Sequence, residues 1–342
     1  MKILLYTDVH VSKTSSIIRA IGENYSIRLE NIIKSVSWAE QLALERSCDQ
    51  IICLGDFFDK PDASAQELTA VRDIKWVNLP HIFIVGNHES DSASLKYSST
   101  KALESAGFEI INKPETKNYG NTQITFLPYI KEELRQPIDK YNKIIDSSKK
   151  QICLSHNDIK GINYGVFTTK EGFTLNEINN NYDLFINGHI HNGQWLNKHV
   201  LNLGNLTGQN SNEDAFKYSH NIAILDTDTL QVELIENPYA FNFYKLEIDK
   251  EQDIDFDSLK NNSVVIIKCD ETLRKSIEKH IYSNSKIIAS KIINKPKQLT
   301  GEKESQDLPS IGVDHLKQFR DFCLERLGDT KVVREELEEV TR

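Results

Sequence analysis

The sequence has 342 residues, of which 39% are hydrophobic and 27% are charged, and its formal net charge is -9. These values indicate a globular protein larger than one ordinary domain, and the acidic balance argues against a broad basic surface for nucleic acid. No apolar run reaches the ~20 residues of a membrane helix, and the five cysteines form no Cys-x-x-Cys pair, so we expect a cytoplasmic protein with reduced thiols.

Short apolar runs in the first part of the chain predict strands that are buried on both faces. Apolar residues at helical spacing over residues 26–46 predict a helix between the first two runs, which makes a β-α-β unit and an α/β layer structure. Further helices are expected at 63–76 and 94–106, and further strands in "HVLNLGN", "NIAILDTD" and "QVELIE". The apolar runs are residues 3–6, 50–54, 81–85, 151–154 and 183–186.

The character of the chain changes after residue 237. In residues 238–294, "FYKLEID", "SVVIIKCD" and "SKIIASKIIN" predict strands and "ETLRKSIEKHIYS" predicts a helix, so we expect a small α+β domain after a first domain of residues 1–237. Residues 295–312 are polar and contain two prolines, which is typical of a linker. Residues 313–342 predict two helices that either pack on their own domain or bind a partner.

Every predicted strand in the first part of the chain is followed by Asp, Asn or His. Ligands bind outside the carboxyl ends of strands in open α/β sheets. Oxygen and imidazole donors suit Mn²⁺, Fe²⁺ or Zn²⁺, and the lack of cysteine disfavours a closed structural zinc site. Two ions ~3.5–4 Å apart that share a carboxylate could activate a water for in-line displacement at phosphorus. The donors are Asp8, His10, Asp56, Asn87, His156, His189 and His191.

Each of these residues also has an interpretation that needs no metal. Asp56 could begin a turn, and Asn87 could cap a helix. His156 alone could be a core or surface histidine, while His189 and His191 could face opposite sides of a strand. The occurrence of donors at five separate strand ends favours the metal site.

The joint pattern resembles the calcineurin-like metallophosphoesterase superfamily. Its Asp-x-His, Gly-Asp-x-x-Asp, Gly-Asn-His-Asp/Glu, His and Gly-His-x-His elements all occur within residues 8–191. The resemblance implies a β-sandwich flanked by helices and two divalent ions, with Mn²⁺ expected and Mg²⁺ as the alternative. It implies that His88 contacts the scissile phosphate as an electrostatic stabiliser or acid. It implies Asp8, His10 and His191 as ligands of one ion, Asn87, His156 and His189 as ligands of the other, and Asp56 as the bridge.

The metal motifs alone do not select a substrate, because the fold serves many phosphoesterases. Serine/threonine phosphatases usually carry Asp-Arg-Gly after the second motif, whereas this chain has Asp59-Lys60-Pro61. The early first motif, the segment 238–294 and the tail instead resemble SbcD-like nucleases of bacteria and phages. Glu89 departs from that group, in which Asp is usual.

This narrower resemblance implies a DNA exonuclease on duplex ends and an endonuclease on single strands, acting in recombination and repair. Residues 238–294 would be a capping domain, and residues 313–342 would bind an SMC-like coiled-coil ATPase. A homodimer within a heterotetramer is implied as well.

The alternative is a small-substrate phosphoesterase, either a nucleotidase or a cyclic nucleotide phosphodiesterase. It would use the same ions and would not need the tail. The sequence does not identify the residues that contact DNA; Lys13, Arg19 and Lys60 are candidates only because they lie near the motifs.

Overall fold

The computed structural model describes residues 1–15, 18, 22–142, 146–164 and 167–295. Residues Met1–Lys295 form one compact unit. The predicted linker after Lys295 and the predicted helices of residues 313–342 lie outside the described residues. None of the helices within the described part of the chain is long and apolar enough to cross a membrane.

The described elements comprise two six-stranded sheets, two smaller sheets, α-helices and short 3-10 helices. In chain order, the strands and α-helices are β1 (Lys2–Tyr6), α1 (Ile27–Glu45), β2 (Gln50–Cys53), α2 (Ala65–Arg72), β3 (His81–Ile84), β4 (Glu109–Ile111), β5 (Glu115–Tyr119), β6 (Thr122–Leu127), β7 (Lys150–Ser155), β8 (Asn163–Tyr164), β9 (Phe167–Thr168), α3 (Leu175–Asn181), β10 (Leu184–Asn187), β11 (Gln194–Asn197), β12 (Val200–Asn202), β13 (Asn221–Asp226), β14 (Gln231–Glu236), β15 (Asn242–Ile248), β16 (Ser263–Cys269), α4 (Arg274–Ser283) and β17 (Ile287–Asn294). The 3-10 helices are Ser99–Ala106, Glu132–Leu134, Ile138–Lys140, Glu251–Asp253 and Glu271–Leu273.

Both large sheets have parallel centres; the first has antiparallel strands at one edge and the second at both edges. The first sheet has the order β14-β13-β1-β2-β3-β4, and β1 to β4 run parallel to one another. The second sheet has the order β11-β12-β10-β7-β6-β5, and β12, β10, β7 and β6 run parallel. Consecutive parallel strands therefore bring their carboxyl ends to the same edge of each sheet.

The large sheets pack face to face around an apolar interior. Leu5 and Ile52 from the first sheet lie in one buried cluster with Leu154 and Ile186 from the second. Helices α1 and α2 cover the outer face of the first sheet, and α3 packs on the outer face of the second. The expected β-sandwich flanked by helices is thus confirmed.

Local side-chain hydrogen bonds set the helix bounds. Ser26 caps α1 by accepting from the Leu29 amide, close to the predicted start of the helix. Helix α2 is shorter than predicted, because a capping box of Ser64 and Glu67 starts it at Ala65. The helix predicted over 94–106 forms in part: a 3-10 helix spans Ser99–Ala106, and Leu95 before it has a left-handed conformation with φ of 50°.

The segment after residue 241 forms a third sheet with the order β15-β16-β17, and α4 packs on it. This sheet contacts the loop that follows β12. The Phe241 amide donates to the Thr207 carbonyl at 2.9 Å, and the Ala215 amide donates to the Phe243 carbonyl at 2.9 Å. The strands and the helix agree with the sequence analysis, whereas a domain boundary at residue 237 stays a prediction.

Truncating a side chain inside the sandwich should destabilise the protein far more than the same change on its surface. Leu5 is fully buried, whereas Leu44 on α1 is 46% exposed. We expect Leu5→Ala to lower the free energy of unfolding by about 2–5 kcal/mol and Leu44→Ala to change it by about 0.5 kcal/mol at most. Urea denaturation measures both, and equal losses would contradict the assigned packing.

Candidate metal centre

The loops after five parallel strands meet at one edge of the sandwich. Within the first sheet, the Asp8 amide donates to the Gly55 carbonyl at 3.0 Å, and the His10 amide donates to the Asp56 carbonyl at 3.0 Å. Between the sheets, the His189 amide donates to Asp8 Oδ2 at 2.9 Å. The sequence-predicted donors of both sheets are therefore brought together.

Several of these donors have left-handed backbone conformations, which are rare for residues other than glycine. Such conformations cost of the order of 1–3 kcal/mol each and persist where the surroundings enforce them, often at functional sites. Gly86 permits the close packing, because a Cβ atom there would lie 2.1 Å from Asp56 Oδ1. The donors concerned are Asp8 (φ 50°), His10 (φ 48°), Asp56 (φ 49°) and His189 (φ 72°).

One group of donors consists of Asp8, His10 and His191, the residues that the sequence analysis predicts for the first ion. The Nε2 atoms of the two histidines lie 3.1 Å apart. Asp8 Oδ1 lies 3.7 Å from His10 Nε2 and 3.8 Å from His191 Nε2. Asp8 Oδ1 is buried and has no hydrogen-bond partner among the described residues. An orphaned carboxylate oxygen between two imidazole nitrogens suits a divalent cation.

A second group lies next to it. Asn87 Oδ1 lies 3.2 Å from His156 Nε2 and 2.9 Å from His189 Nδ1. Asp56 Oδ2 lies 3.1 Å from His156 Nε2 and 3.8 Å from His10 Nε2, so this carboxylate stands between the two groups. The geometry fits two ions with Asp56 as their shared ligand, and the individual ligand assignments stay predictions.

Each histidine that points into the centre is held on its other ring nitrogen by a group outside it. Such outer partners fix the tautomer and the ring orientation of metal-binding histidines. These partners were not assigned from the sequence: Asp158 lies only two residues after His156, whereas nothing local marks Glu213. The outer contacts are His10 Nδ1 with Asp59 Oδ1 at 3.2 Å, His191 Nδ1 with Glu213 Oε1 at 2.9 Å, His189 Nε2 with Asp158 Oδ1 at 3.2 Å, and His156 Nδ1 with the Leu54 carbonyl at 2.9 Å.

The buried carboxylates and imidazoles strongly shift one another's pKa values. Burial acts to raise the pKa of Asp8, but the imidazoles of His156 and His10 lower it to about 2. Burial acts to lower the pKa of His10, but Asp59 and Asp8 raise it to about 10. The pKa of His156 rises to about 9, against the effect of burial, chiefly because of Asp56 and Asp8. The centre therefore favours positive charge, which divalent ions would supply.

His88 is the exposed histidine of the cluster, with 44% of its side chain accessible. Its ring stands perpendicular to that of His10, with 4.6 Å between the centroids. Its Nδ1 lies 3.0 Å from the Asp59 carbonyl oxygen, so Nδ1 carries the hydrogen and Nε2 is the nitrogen available to a substrate.

Glu89 links the loop after β2 to the loop after β3 through hydrogen bonds. Its buried carboxylate accepts hydrogen bonds from the Phe57, Phe58 and Gly86 amides at 2.8–3.1 Å. Burial and the neighbouring Asp56 raise the pKa of Glu89 to about 7. The Glu at this position thus supports the backbone directly after Asp56 and directly before Asn87.

The DNA contacts suggested for Lys13, Arg19 and Lys60 stay predictions. Lys60 lies 4.0 Å from Asp62 on the surface. Lys13 contributes its backbone amide, which donates to Glu67. Arg19 lies outside the described residues.

Known proteins provide one informative match. The model of the calcineurin-like phosphoesterase family matches residues 1–193, a range that contains every motif from Asp8 to His191. None of the curated proteins matches the sequence significantly.

Solved structures resemble the chain more weakly. A protein of Thermus thermophilus is 12% identical, with 69% of this chain and 98% of that chain covered and a TM-score of 0.40. A dimetal phosphatase from Danio rerio is 12% identical, with the same coverage and a TM-score of 0.39. A metallophosphoesterase from Sphaerobacter thermophilus is 16% identical, with 69% and 89% covered and a TM-score of 0.29. At these low scores, the family assignment rests on the sequence match alone.

Removing an outer carboxylate should weaken metal binding without removing a ligand. Glu213→Gln takes away the charged partner of His191 Nδ1, so we expect the affinity for Mn²⁺ to fall about 10–100-fold. Glu104→Gln changes an exposed glutamate in the 3-10 helix Ser99–Ala106 and serves as the control. Isothermal titration calorimetry measures both variants, and unchanged affinity in Glu213→Gln would contradict the positioning role.

Metal binding should release protons. The pKa values of His10 (about 10) and His156 (about 9) leave both imidazoles protonated at pH 7 in protein prepared without metal. An ion needs neutral imidazoles, so binding should release about two protons per chain and the affinity should rise with pH. Titrations in buffers of different ionisation enthalpy count these protons. A binding enthalpy that does not depend on the buffer would refute this expectation.

Proposed function

The chain belongs to the calcineurin-like phosphoesterase family, and from this premise we propose that it is a DNA nuclease. Family membership indicates metal-dependent hydrolysis of phosphoesters and leaves the substrate open. We propose exonuclease activity on duplex ends and endonuclease activity on single strands, in recombination or repair with an SMC-like ATPase. This is the activity of the SbcD-like group that the sequence resembles.

The observation that favours a nuclease is the third sheet, β15-β16-β17, because it lies next to the candidate metal centre. Asp214 forms a parallel bridge with Phe243 of β15, directly after Glu213. Because Glu213 holds His191, the third sheet supports the same loop that orients one candidate ligand. An added structure at this place supports a large substrate such as DNA more than a free nucleotide.

The two donor groups and His88 suggest how the site would act on a phosphodiester. Two divalent ions would supply Lewis-acid activation of water and neutralise charge on the phosphate, with Mn²⁺ as the expected ion and Mg²⁺ as the alternative. Asp56 would keep both ions at a fixed spacing. His88, oriented through Nδ1 by the Asp59 carbonyl, would present Nε2 to the scissile phosphate and donate a proton to the leaving oxygen when it is protonated.

Partner binding belongs to the same proposal. With a net charge of -9, the chain should bind DNA weakly alone and gain affinity from a basic partner. We propose that residues 313–342 bind the ATPase, that two copies of the chain form a homodimer within a heterotetramer, and that the complex works in the cytoplasm of a bacterial or phage-infected cell.

A cleavage assay tests the activity. With Mn²⁺, the full chain should degrade linear duplex DNA and cut single-stranded circles. His88→Ala should lower kcat by about 10²–10⁴-fold, because it removes an acid from the reacting centre, and Asp56→Ala should abolish activity. His280→Ala, on the exposed side of α4, is the matched control.

The alternative of a small-substrate phosphoesterase predicts a different result. Such an enzyme would hydrolyse nucleotides or cyclic nucleotides and would keep that activity after removal of residues 313–342. Hydrolysis of small esters without any DNA cleavage, with or without the ATPase, would contradict the nuclease proposal.

A further inference from the structure

A cleft of about 310 Å³ lies beside the candidate metal centre. Tyr129 forms the boundary between the two. Its ring centroid lies 5.6 Å from that of His189, and its amide donates to the Val85 carbonyl at 3.1 Å. The next amide, that of Ile130, donates to Asn157 Oδ1 at 2.9 Å. Tyr129 is therefore held between the loops that carry Asn87 and His156.

The charged residues that line this cleft are all basic, which is unusual in a protein with a net charge of -9. Lys113 and Lys131 are among them, and none of the lining residues is Asp or Glu. In the described part of the chain, several lysines form ion pairs with carboxylates, but Lys113 and Lys131 are not among them. The cleft therefore presents two lysines that form no ion pair in the described part of the chain, although burial, together with the nearby carboxylates of Asp158, Glu132 and Glu133, raises the pKa of Tyr129.

We infer that the cleft binds the nucleotide next to the scissile phosphate of single-stranded DNA, an inference that rests on the proposed nuclease function. The volume is at the lower end of the ~300–1,000 Å³ range of ligand sites. Two lysines suit the adjacent phosphates. The exposed part of the Tyr129 ring offers a surface for an unstacked base, as aromatic residues do in proteins that bind single strands.

The inferred contacts separate a polynucleotide from a small ester. A strand whose scissile phosphate is at the metal centre continues past Tyr129 into the cleft. A small ester such as bis-p-nitrophenyl phosphate ends at the centre and does not reach Lys113 or Lys131. Removing these lysines should therefore affect only the longer substrate.

A binding experiment without divalent ions tests the inference directly. Fluorescence anisotropy with a labelled single-stranded DNA oligonucleotide in EDTA compares the full-length wild type with Lys113→Gln/Lys131→Gln over a series of salt concentrations. We expect affinity at low salt to fall about tenfold, and the slope of log K against log salt to decrease by about 1.4, or 0.7 for each lost phosphate contact. The double variant Lys75→Gln/Lys279→Gln removes the same charge elsewhere and should bind like the wild type.

Substitutions of Tyr129 separate stacking from charge. Tyr129→Phe keeps the ring and should bind the oligonucleotide like the wild type, whereas Tyr129→Leu should bind about fivefold or more weakly. The slope of log K against log salt should be the same in both variants, because no cation is removed.

The outcomes test the cleft assignment and the proposed nuclease activity separately. Equal affinity and slope in the two double-lysine variants, or no measurable binding by the wild type at low salt, would overturn the cleft assignment even if DNA is cleaved. Binding that depends on Lys113 and Lys131, without any DNA cleavage in Mn²⁺ either with or without the ATPase, would support the cleft and reject the nuclease. With Mn²⁺, kcat/KM of Lys113→Gln/Lys131→Gln should fall about tenfold for the oligonucleotide and less than about twofold for the small ester.

Discussion

The contact of one carboxylate with histidines from both sheets joins the two halves of the sandwich at the candidate metal centre. Asp56 Oδ2 lies 3.1 Å from His156 Nε2, on the second sheet, and 3.8 Å from His10 Nε2, on the first. The contact forms only if the carboxyl ends of both sheets meet at one edge. The apolar interior that contains Leu5 and Ile186 fixes the sheets face to face and so sets this distance.

The centre is held from outside as well as from within. Asp59, Asp158 and Glu213 each hold the outer nitrogen of a histidine, and Glu89 binds three amides of the loops beside Asp56. These contacts stabilise the left-handed backbone conformations of the residues at the strand ends. A site fixed in this way keeps its carboxylate and imidazole donors close together.

The sequence predicts the parts of this structure that depend on local pattern. Continuous apolar runs identified β1, β2, β3, β7 and β10, and the polar residues after them identified the donors. Strand β5 was missed because its side chains are polar and partly exposed, and β6, its hairpin partner, was missed with it. Helix α3 is short and rich in asparagine, so its apolar spacing is weak. Long-range packing brings Glu213 to His191 and Lys113 to the lining of the cleft, and no local pattern in the sequence records either placement.

The central claim is that one carboxylate joins two ion sites, and anomalous diffraction from crystals soaked in Mn²⁺ tests it most directly. We expect two anomalous peaks, one beside His10 and His191 and the other beside His156 and His189, with the Asp56 carboxylate between them. A single peak at saturating Mn²⁺, or peaks that Asp56 does not contact, would contradict it.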